Sequence, residues 1–533
     1  MKNFSGARIK HINRRCTTLM AVKRIDDLRD YLDVLDQMGE ICHVKDEVDW
    51  KLEMTGIGAM SNRIDDKIPL FENIKGYPKG TRASTDLYRG SHGALWRRMA
   101  LSIGLSPEIS YSDYMDEYIN RFNHPIRPIA VDKGSCQDVV LIGKDVDVLK
   151  TLPVPYIHDG DGGRYLTMHA MIVKDPDSEW VNWANYRALV NTKNKISFLF
   201  CPGQQNPNLY YYKYEARNQP MPVAIAIGGH PAVWYMATTP LPAGVSEVDY
   251  IGGMIQKPVE LVKCVTNDLY VPANAEYVIE GVMMPHERID EGPFGEYLGY
   301  MHGPRRPMPF VRATAITHRK NPILPICVEG TGVGESNNVC NTSFNALLTP
   351  ALMVFLRQLG YPVKFVTGPE LNAWSSLIAA TKIPYPGYAK ELGELLLTCP
   401  GPSMYYDLTF LVDEDIDITD MEKVWEEIVL KAHPTKDWNN FGDAEAPRSS
   451  LNIYQTAEEK GALAKASSKG KTSKCWIDAT TKEWNETTDG PKRMEFDLLY
   501  PTTKDWVTSN KEKYDLPKYK DFREEGLRWI EQK

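Results

Sequence analysis

No stretch of this 533-residue chain approaches the roughly 18 consecutive apolar residues of a membrane-spanning helix. The most apolar candidate, residues 346–359, is broken by Pro350 and Arg357 and reads as a packed helix. There is no C-x-x-C, and the nine cysteines are scattered and odd in number. They read as reduced thiols in an intracellular protein rather than a disulfide framework. The eleven histidines offer no H-E-x-x-H, so zinc has no support. Positive charge is not in excess either: 62 Lys and Arg against 70 Asp and Glu give a net charge of −8. No overall basic field favours nucleic acid. A repeat of fixed period is also absent, which excludes a solenoid.

What remains is an ordinary globular composition, 43% hydrophobic and 25% charged, in a chain long enough for two or three domains. Twelve tryptophans and 28 tyrosines suggest large buried surfaces and an aromatic-lined pocket. Leu28, Leu32, Leu35 and Met38 have helical spacing before Gly39, and residues 41–48 alternate like a strand. This opens an N-terminal α/β portion that ends near residues 125–128. The middle third reads as short strands, at 139–142, 166–173, 196–200, 222–227, 260–265, 275–284 and 310–318. Such a series suggests a β-barrel or sandwich-like domain. Strand and helix then alternate at 323–328, 345–358, 363–366, 407–412 and 421–430, which favours an α/β layer. Residues 457–474, rich in Lys, Ala and Ser, read as an exposed mobile loop. Residues 1–23 carry six basic residues and no acid. They read as a disordered leader or as the product of an upstream start before Met20, with a mitochondrial presequence as the alternative. The expected location is cytoplasmic, or mitochondrial on that alternative.

The segment Asp290-Glu-Gly-Pro-Phe-Gly-Glu-Tyr297 concentrates the chemistry. Its two glutamates, five residues apart, share neither a helix face nor a strand face. Gly292-Pro293 and Gly295 predict a sharp turn that holds both carboxylates over one small volume. Like charge and desolvation would then push their pKa values apart, leaving one paired and the other to carry protons. A glycine-rich loop with two solvated glutamates fits the segment equally well. Arg187, at the end of a predicted strand, would lower the pKa of the glutamate it contacts; a surface salt bridge is the simpler role. Glu247, just past a proline-rich loop, is either part of an oxygen-rich cation site or a helix N-terminal carboxylate. Gly330-Thr-Gly-Val-Gly-Glu335 superficially fits a dinucleotide loop but lacks the third glycine at its required offset.

Together the blocks DGDGGRYLTMHAMIV (159–173), VNWANYRAL (181–189), CPGQQNPN (201–208), PLPAGVSEVDYIGG (240–253), ELVKCVTNDLYVPANAEYVIEGVM (260–283), EGPFGEYLGY (291–300) and CWIDAT (475–480) resemble the UbiD family of reversible decarboxylases, from about residue 24 onward. The resemblance implies a multidomain α+β and α/β fold. Its parts are a leader (1–23), an N-terminal α/β portion (24–129), a central split β-barrel that binds prenylated FMN (130–320) and a C-terminal α/β domain (321–533) that commonly dimerises.

Carried over by position, Arg187, Glu291 and Glu296 match the family's catalytic network, with Glu291 paired to Arg187 and Glu296 as the proton donor. Asn182, Ala184, Asn185, Arg187, Gln204, Gln205, Thr238, Thr239 and Glu247 would contact the cofactor. Asn182, Gln205 and Glu247 would ligate a divalent ion, Mn²⁺ or Mg²⁺, on its phosphate, with K⁺ nearby. Gln205 stands where ferulic-type members carry a histidine, and its carbonyl oxygen suits Mg²⁺ or K⁺ better than a softer ion. The implied reaction is carboxy-lyase chemistry through a covalent adduct with prenylated FMN, a cofactor supplied by a partner flavin prenyltransferase. A homodimer or higher homo-oligomer is expected, with neither nucleic acid nor membrane as partner.

The expected substrate is a small hydroxylated aromatic acid, gallate or protocatechuate. Glu329, Glu335, Asn337, Asn338, Asn341 and His302 are candidates for bonding ring hydroxyls. A cinnamic or ferulic acid decarboxylase is the alternative within the family. A non-catalytic flavin-binding protein is the alternative from another class, and the retained Arg187, Glu291 and Glu296 argue against it.

Overall fold

Asp27 accepts hydrogen bonds from the backbone N–H groups of Arg29 and Asp30 and so starts the helix Leu28–Gln37. In the computed structural model, the described residues are 24–330 apart from 65, 92–95, 202 and 304, then 344–369, 375–399, 406–444 and 472–482, with a few isolated positions between 505 and 513. Those up to Thr480 belong to one compact unit, and residues from Thr481 onward are assigned to a second. The leader therefore lies outside the described residues, as does the predicted loop up to residue 471. Positions 472–474 of that loop instead open the strand Thr472–Asp478.

The first helix buries Leu28, Tyr31, Leu32, Val34 and Leu35, while Met38 caps it from an exposed position. Gly39, at φ +74°, lets the chain leave into the strand Ile41–Val44. That strand edges a four-stranded sheet continued by Ile68–Phe71, Arg82–Thr85 and Ile323–Ile326. The last pairing is parallel and corrects one expectation: residues 323–326 join the N-terminal sheet, not the C-terminal layer. Arg29 fastens this portion to the centre, since Nε and Nη2 both reach the fully buried Glu276 carboxylate at 2.9 Å.

The central sheet has nine strands. In order they are Arg164–Leu166, Ala188–Thr192, Lys195–Phe198, Phe310–His318, Tyr277–Met283, Met221–Ile227, Ala170–Lys174 and Val181–Ala184, with Val139–Ile142 added on Phe310–His318. Chain connectivity forces this sheet to curl. Val181–Ala184 is at one edge, yet only three residues, 185–187, separate it from Ala188–Thr192 near the other edge. Laid flat, the six intervening strand spacings would put these strands roughly 29 Å apart. Four residue steps span at most about 14 Å. Residues 167–169 make a second crossing of the same gap, so the predicted strand 166–173 is two strands with a link between. The sheet is a split barrel, and the split is bridged by Asn185, Tyr186 and Arg187. Residues 260–263, expected in the barrel, lie instead in a small sheet with Tyr270–Pro272 and Ile129–Val131.

The C-terminal layer is a mixed five-stranded sheet in the order Val363–Thr367, Ser376–Thr381, Leu408–Asp413, Thr472–Asp478, Trp438–Ala444. The helices Thr349–Gln358, Tyr388–Thr398 and Met421–Lys431 accompany it. Among the described residues no helix is long and apolar enough to cross a membrane. The described cysteines, Cys42, Cys136, Cys201, Cys264, Cys327, Cys399 and Cys475, are free thiols.

Candidate active site

The Glu291–Glu296 segment is two short strands with a turn between. Ile289–Glu291 pairs with Arg306–Met308, and Phe294–Gly295 pairs with Met301–His302. Gly292, at φ +86°, makes the corner. Its carbonyl oxygen would lie 2.2 Å from a Cβ at Gly162, so a side chain on Gly162 would prevent the two backbones from meeting. The Gly162 N–H donates to the Pro293 carbonyl at 2.7 Å, and the Gly295 N–H donates to Asp161 Oδ1 at 2.9 Å. His158 packs beside Gly295 and donates from Nε2 to the Glu329 carbonyl at 2.6 Å. Residues 158–162 thus pin the turn from below.

Arg187, hanging in the barrel split, gathers both carboxylates. Its Nε and Nη2 donate to Glu291 Oε1 and Oε2 at 2.9 and 2.8 Å, while Nη1 donates to Glu296 Oε1. Tyr165 donates a third bond to Glu291 Oε1 at 3.1 Å. The guanidinium lies 5.4 Å from the Phe294 ring centroid. All three charged groups are buried. Burial pushes the Glu296 carboxyl above its ordinary value of 4.5, with Arg187 opposing and Glu291 reinforcing. Burial works against the Arg187 charge, but the two carboxylates outweigh it and its pKa rises. The turn reading of the sequence therefore holds, and the loop-with-solvated-glutamates reading does not. Geometry distinguishes the two acids: Glu291 accepts from both prongs of Arg187 and from Tyr165, whereas Glu296 takes a single Arg187 bond and burial raises its pKa.

Glu296 and Arg187 face a cavity of about 740 Å³, large enough for a nucleotide cofactor and a small acid. Its apolar lining includes Leu199 and Phe294 of the central domain and Leu352 and Phe355 of the helix Thr349–Gln358. The same cavity is lined by every other sequence-predicted contact: Asn182, Ala184, Asn185, Gln204, Gln205, Thr238, Thr239 and Glu247. Glu329 and Tyr297 line it as well. His302 does not line it; its Nε2 is taken by Arg306. Glu335, Asn337, Asn338 and Asn341 lie outside the described residues.

Several buried polar atoms of the lining could hold a positive ion. Glu247 is the first residue of the helix Glu247–Ile255 and is 2% exposed; one oxygen, Oε2, accepts the Trp183 N–H at 2.7 Å. The helix N-terminal reading of this residue holds. Burial pushes its carboxyl up to about 8, so the site favours a charged carboxylate only beside a cation. Asn182 Oδ1 and Asn185 Oδ1 are buried with no hydrogen-bond partner. Thr238 and Thr239 both donate their hydroxyls to the Tyr235 carbonyl, leaving oxygen lone pairs for another ligand. Amide oxygens, hydroxyl oxygens and one carboxylate fit a hard cation. Among the described residues there is no cluster of three or more His, Cys, Asp or Glu that could hold a metal.

Tyr165, Asp161 and His158 were missed as individual residues, although the DGDGG block contains two of the positions that brace the turn. The signal available was its glycine pair, which only a close backbone approach requires.

The chain is similar to known proteins along most of its length. Residues 128–332 match the 3-octaprenyl-4-hydroxybenzoate carboxy-lyase Rift-related domain of UbiD, residues 32–118 its N-terminal domain and 345–479 its C-terminal domain. Pyrrole-2-carboxylic acid decarboxylase of Pseudomonas aeruginosa is 32% identical over 450 residues, covering 81% of this chain and 88% of its own. The closed form of vanillic acid decarboxylase from Sedimentibacter hydroxybenzoicus superposes with a TM-score of 0.78 at 28% identity, over 92% and 99% of the two chains. The UbiD-class enzyme HmfF of Pelotomaculum thermopropionicum, solved with FMN, does so with a TM-score of 0.72 at 27% identity, over 89% and 98%. An evolved dimeric form of HmfF is solved with prFMN, with a TM-score of 0.70 at 26% identity, over 90% and 100%.

Proposed function

The chain belongs to the UbiD family of carboxy-lyases, and on that premise we propose that it reversibly decarboxylates a hydroxylated aromatic acid, gallate or protocatechuate, with prenylated FMN in the cavity. The observation that carries this reading is one cavity lined both by the buried Glu296, whose pKa is raised, and by buried amide and carboxylate oxygens suited to a cation. Asn182, Gln205 and Glu247 would hold Mn²⁺ or Mg²⁺ against the flavin phosphate, and Thr238 and Thr239 would contribute toward K⁺ and the cofactor.

Decarboxylation breaks a carbon–carbon bond and leaves its electron pair on the substrate carbon. Bound prenylated FMN supplies the electron sink for that pair, which no side chain here can provide. Glu291 fixes the Arg187 fork, and Arg187 fixes Glu296 against the cavity. Glu296 then gives its proton to the carbon that lost CO₂ and is reprotonated from solvent before the next turnover. Phe294, Leu352 and Phe355 exclude water from the ring while the bond breaks.

Support for a hydroxylated ring comes from the vanillic acid decarboxylase resemblance and from Glu329 and Tyr297 on the cavity wall, which can bond ring hydroxyls. A cinnamic-type acid is the second reading, favoured by the apolar lining. A homo-oligomer is part of the proposal, in line with the dimeric HmfF form. CO₂ release from gallate, protocatechuate, cinnamate and pyrrole-2-carboxylate, measured on protein co-produced with a flavin prenyltransferase, tests the substrate. Preference for the first two by about tenfold or more in kcat/KM is the expected result, corresponding to 1.4 kcal/mol in the barrier. Preference for cinnamate moves the assignment to the second reading.

A further inference from the structure

Asn206, inside the CPGQQNPN block but given no role there, does not line the cavity and is fully buried. Its amide is caught between two neighbours. On one side Nδ2 donates to the Met171 carbonyl at 3.2 Å, in the strand Ala170–Lys174. A backbone carbonyl can only accept, so this contact fixes which end of Asn206 faces which way. On the other side Asn206 Oδ1 must therefore accept, and it does so from Asn182 Nδ2 at 2.8 Å. With Nδ2 spent there, Asn182 is left with Oδ1 as its uncommitted end. That atom is the one without a partner, on a side chain 1% exposed in the cavity wall.

We infer that Asn206 is a positioning residue that sets the polarity of Asn182, so that an amide oxygen and not an amide N–H₂ is offered to the cation pocket. The inference rests on the cofactor-site reading above. A reversed Asn182 would make two errors at once: oxygen would oppose oxygen at Asn206, and two N–H donors would face the cation. Gln205, which also lines the cavity, obeys the same logic. Its Nε2 donates to the Leu241 carbonyl at 2.6 Å, and the end not committed to that carbonyl is again an oxygen. Both amides are thus polarised by backbone carbonyls, one directly and one through Asn206. An all-oxygen donor set depends entirely on which way its amides point.

The test is FMN binding to the full-length apoprotein, titrated in EDTA, in Mg²⁺ and in Mn²⁺, together with bound-metal content. Asn206→Leu is expected to weaken metal-supported FMN binding about 10–100-fold, the usual cost of losing a partner that orients a ligand, and to leave the affinity in EDTA unchanged. Asn206→Ser, too short to join Met171 to Asn182, is expected to act in the same direction and serves where the leucine variant folds poorly. In an Asn182→Ala background either substitution is expected to change metal-supported binding by less than about twofold, because the residue it orients is gone. Folded Asn206 variants with wild-type metal dependence overturn the inference alone. So does an equal loss in EDTA and in metal, or an equal loss in both backgrounds. A wild-type protein whose FMN affinity ignores both metals overturns the reading of the pocket, and this inference with it.

Discussion

Glu296→Gln is expected to lower kcat by about 10²–10⁴-fold while flavin and acid still bind, since general acid catalysis contributes that much. Glutamine keeps the shape of the side chain and an oxygen for Arg187 Nη1, so the turn and the cavity stay intact. What it removes is the proton. The direction of the pH dependence follows from the same group. Burial holds the Glu296 carboxyl above 4.5, and its protonated form is the donor in decarboxylation. Decarboxylation should therefore fall as pH rises through the folded-state pKa of Glu296, while carboxylation, which needs the carboxylate as base, should rise over the same range. The folded state also holds this proton more tightly than the unfolded chain does. The contribution of Glu296 to stability is accordingly full below about 4.5 and is lost as pH rises through its folded pKa. In Glu296→Gln both dependences should disappear together. A variant with near-normal turnover and an unchanged pH profile would assign proton transfer to another group.

Arg187→Leu is expected to abolish turnover and to destabilise the central domain by about 3–5 kcal/mol, the cost of removing one partner from buried ion pairs. The loss is large because one guanidinium serves two carboxylates, and Glu291 is completely buried. Without the cation, the buried Glu291 carboxylate keeps only Tyr165 of its side-chain donors. A second substitution separates the two consequences. Arg187→Leu combined with Glu291→Gln should recover much of the stability, because a buried charge is removed, and none of the activity, because Glu296 is no longer positioned. Thermal denaturation and CO₂ release on the single and double variants provide the check. Arg187→Lys should fall between, since an ammonium cannot reproduce the two-pronged contact to Glu291. Equal recovery of stability and activity in the double variant would mean that Arg187 serves folding only.

How much of this was legible in the chain depends on how local the cause was. The Glu291–Glu296 corner was readable because Gly292, Pro293 and Gly295 act through their own backbone preferences. The first helix was readable from the leucine spacing and Gly39. The strand-rich centre was readable as strands but not as a pairing order. Residues 323–326 looked like the start of the next layer, yet they pair with Arg82–Thr85, a partner that no local pattern names. Residues 166–173 looked like one strand because Thr167, Met168 and His169 suit a strand as well as a crossing. His302 looked as suitable as Glu329, and only the position of Arg306 separates them. Asn206 lies in the CPGQQNPN block, but nothing there sets it apart from its neighbours. Its importance comes from the direction of two hydrogen bonds, which residue types alone do not specify.

The most direct test of the account is its cofactor dependence. The protein would be produced with and without a flavin prenyltransferase, and each preparation examined by intact-cofactor mass spectrometry and assayed for CO₂ release from gallate and protocatechuate. The account predicts a prenylated flavin mass and turnover in the first preparation, and no turnover in the second. Turnover by a preparation that carries no flavin, or well-folded protein from the first preparation that binds none, would contradict it.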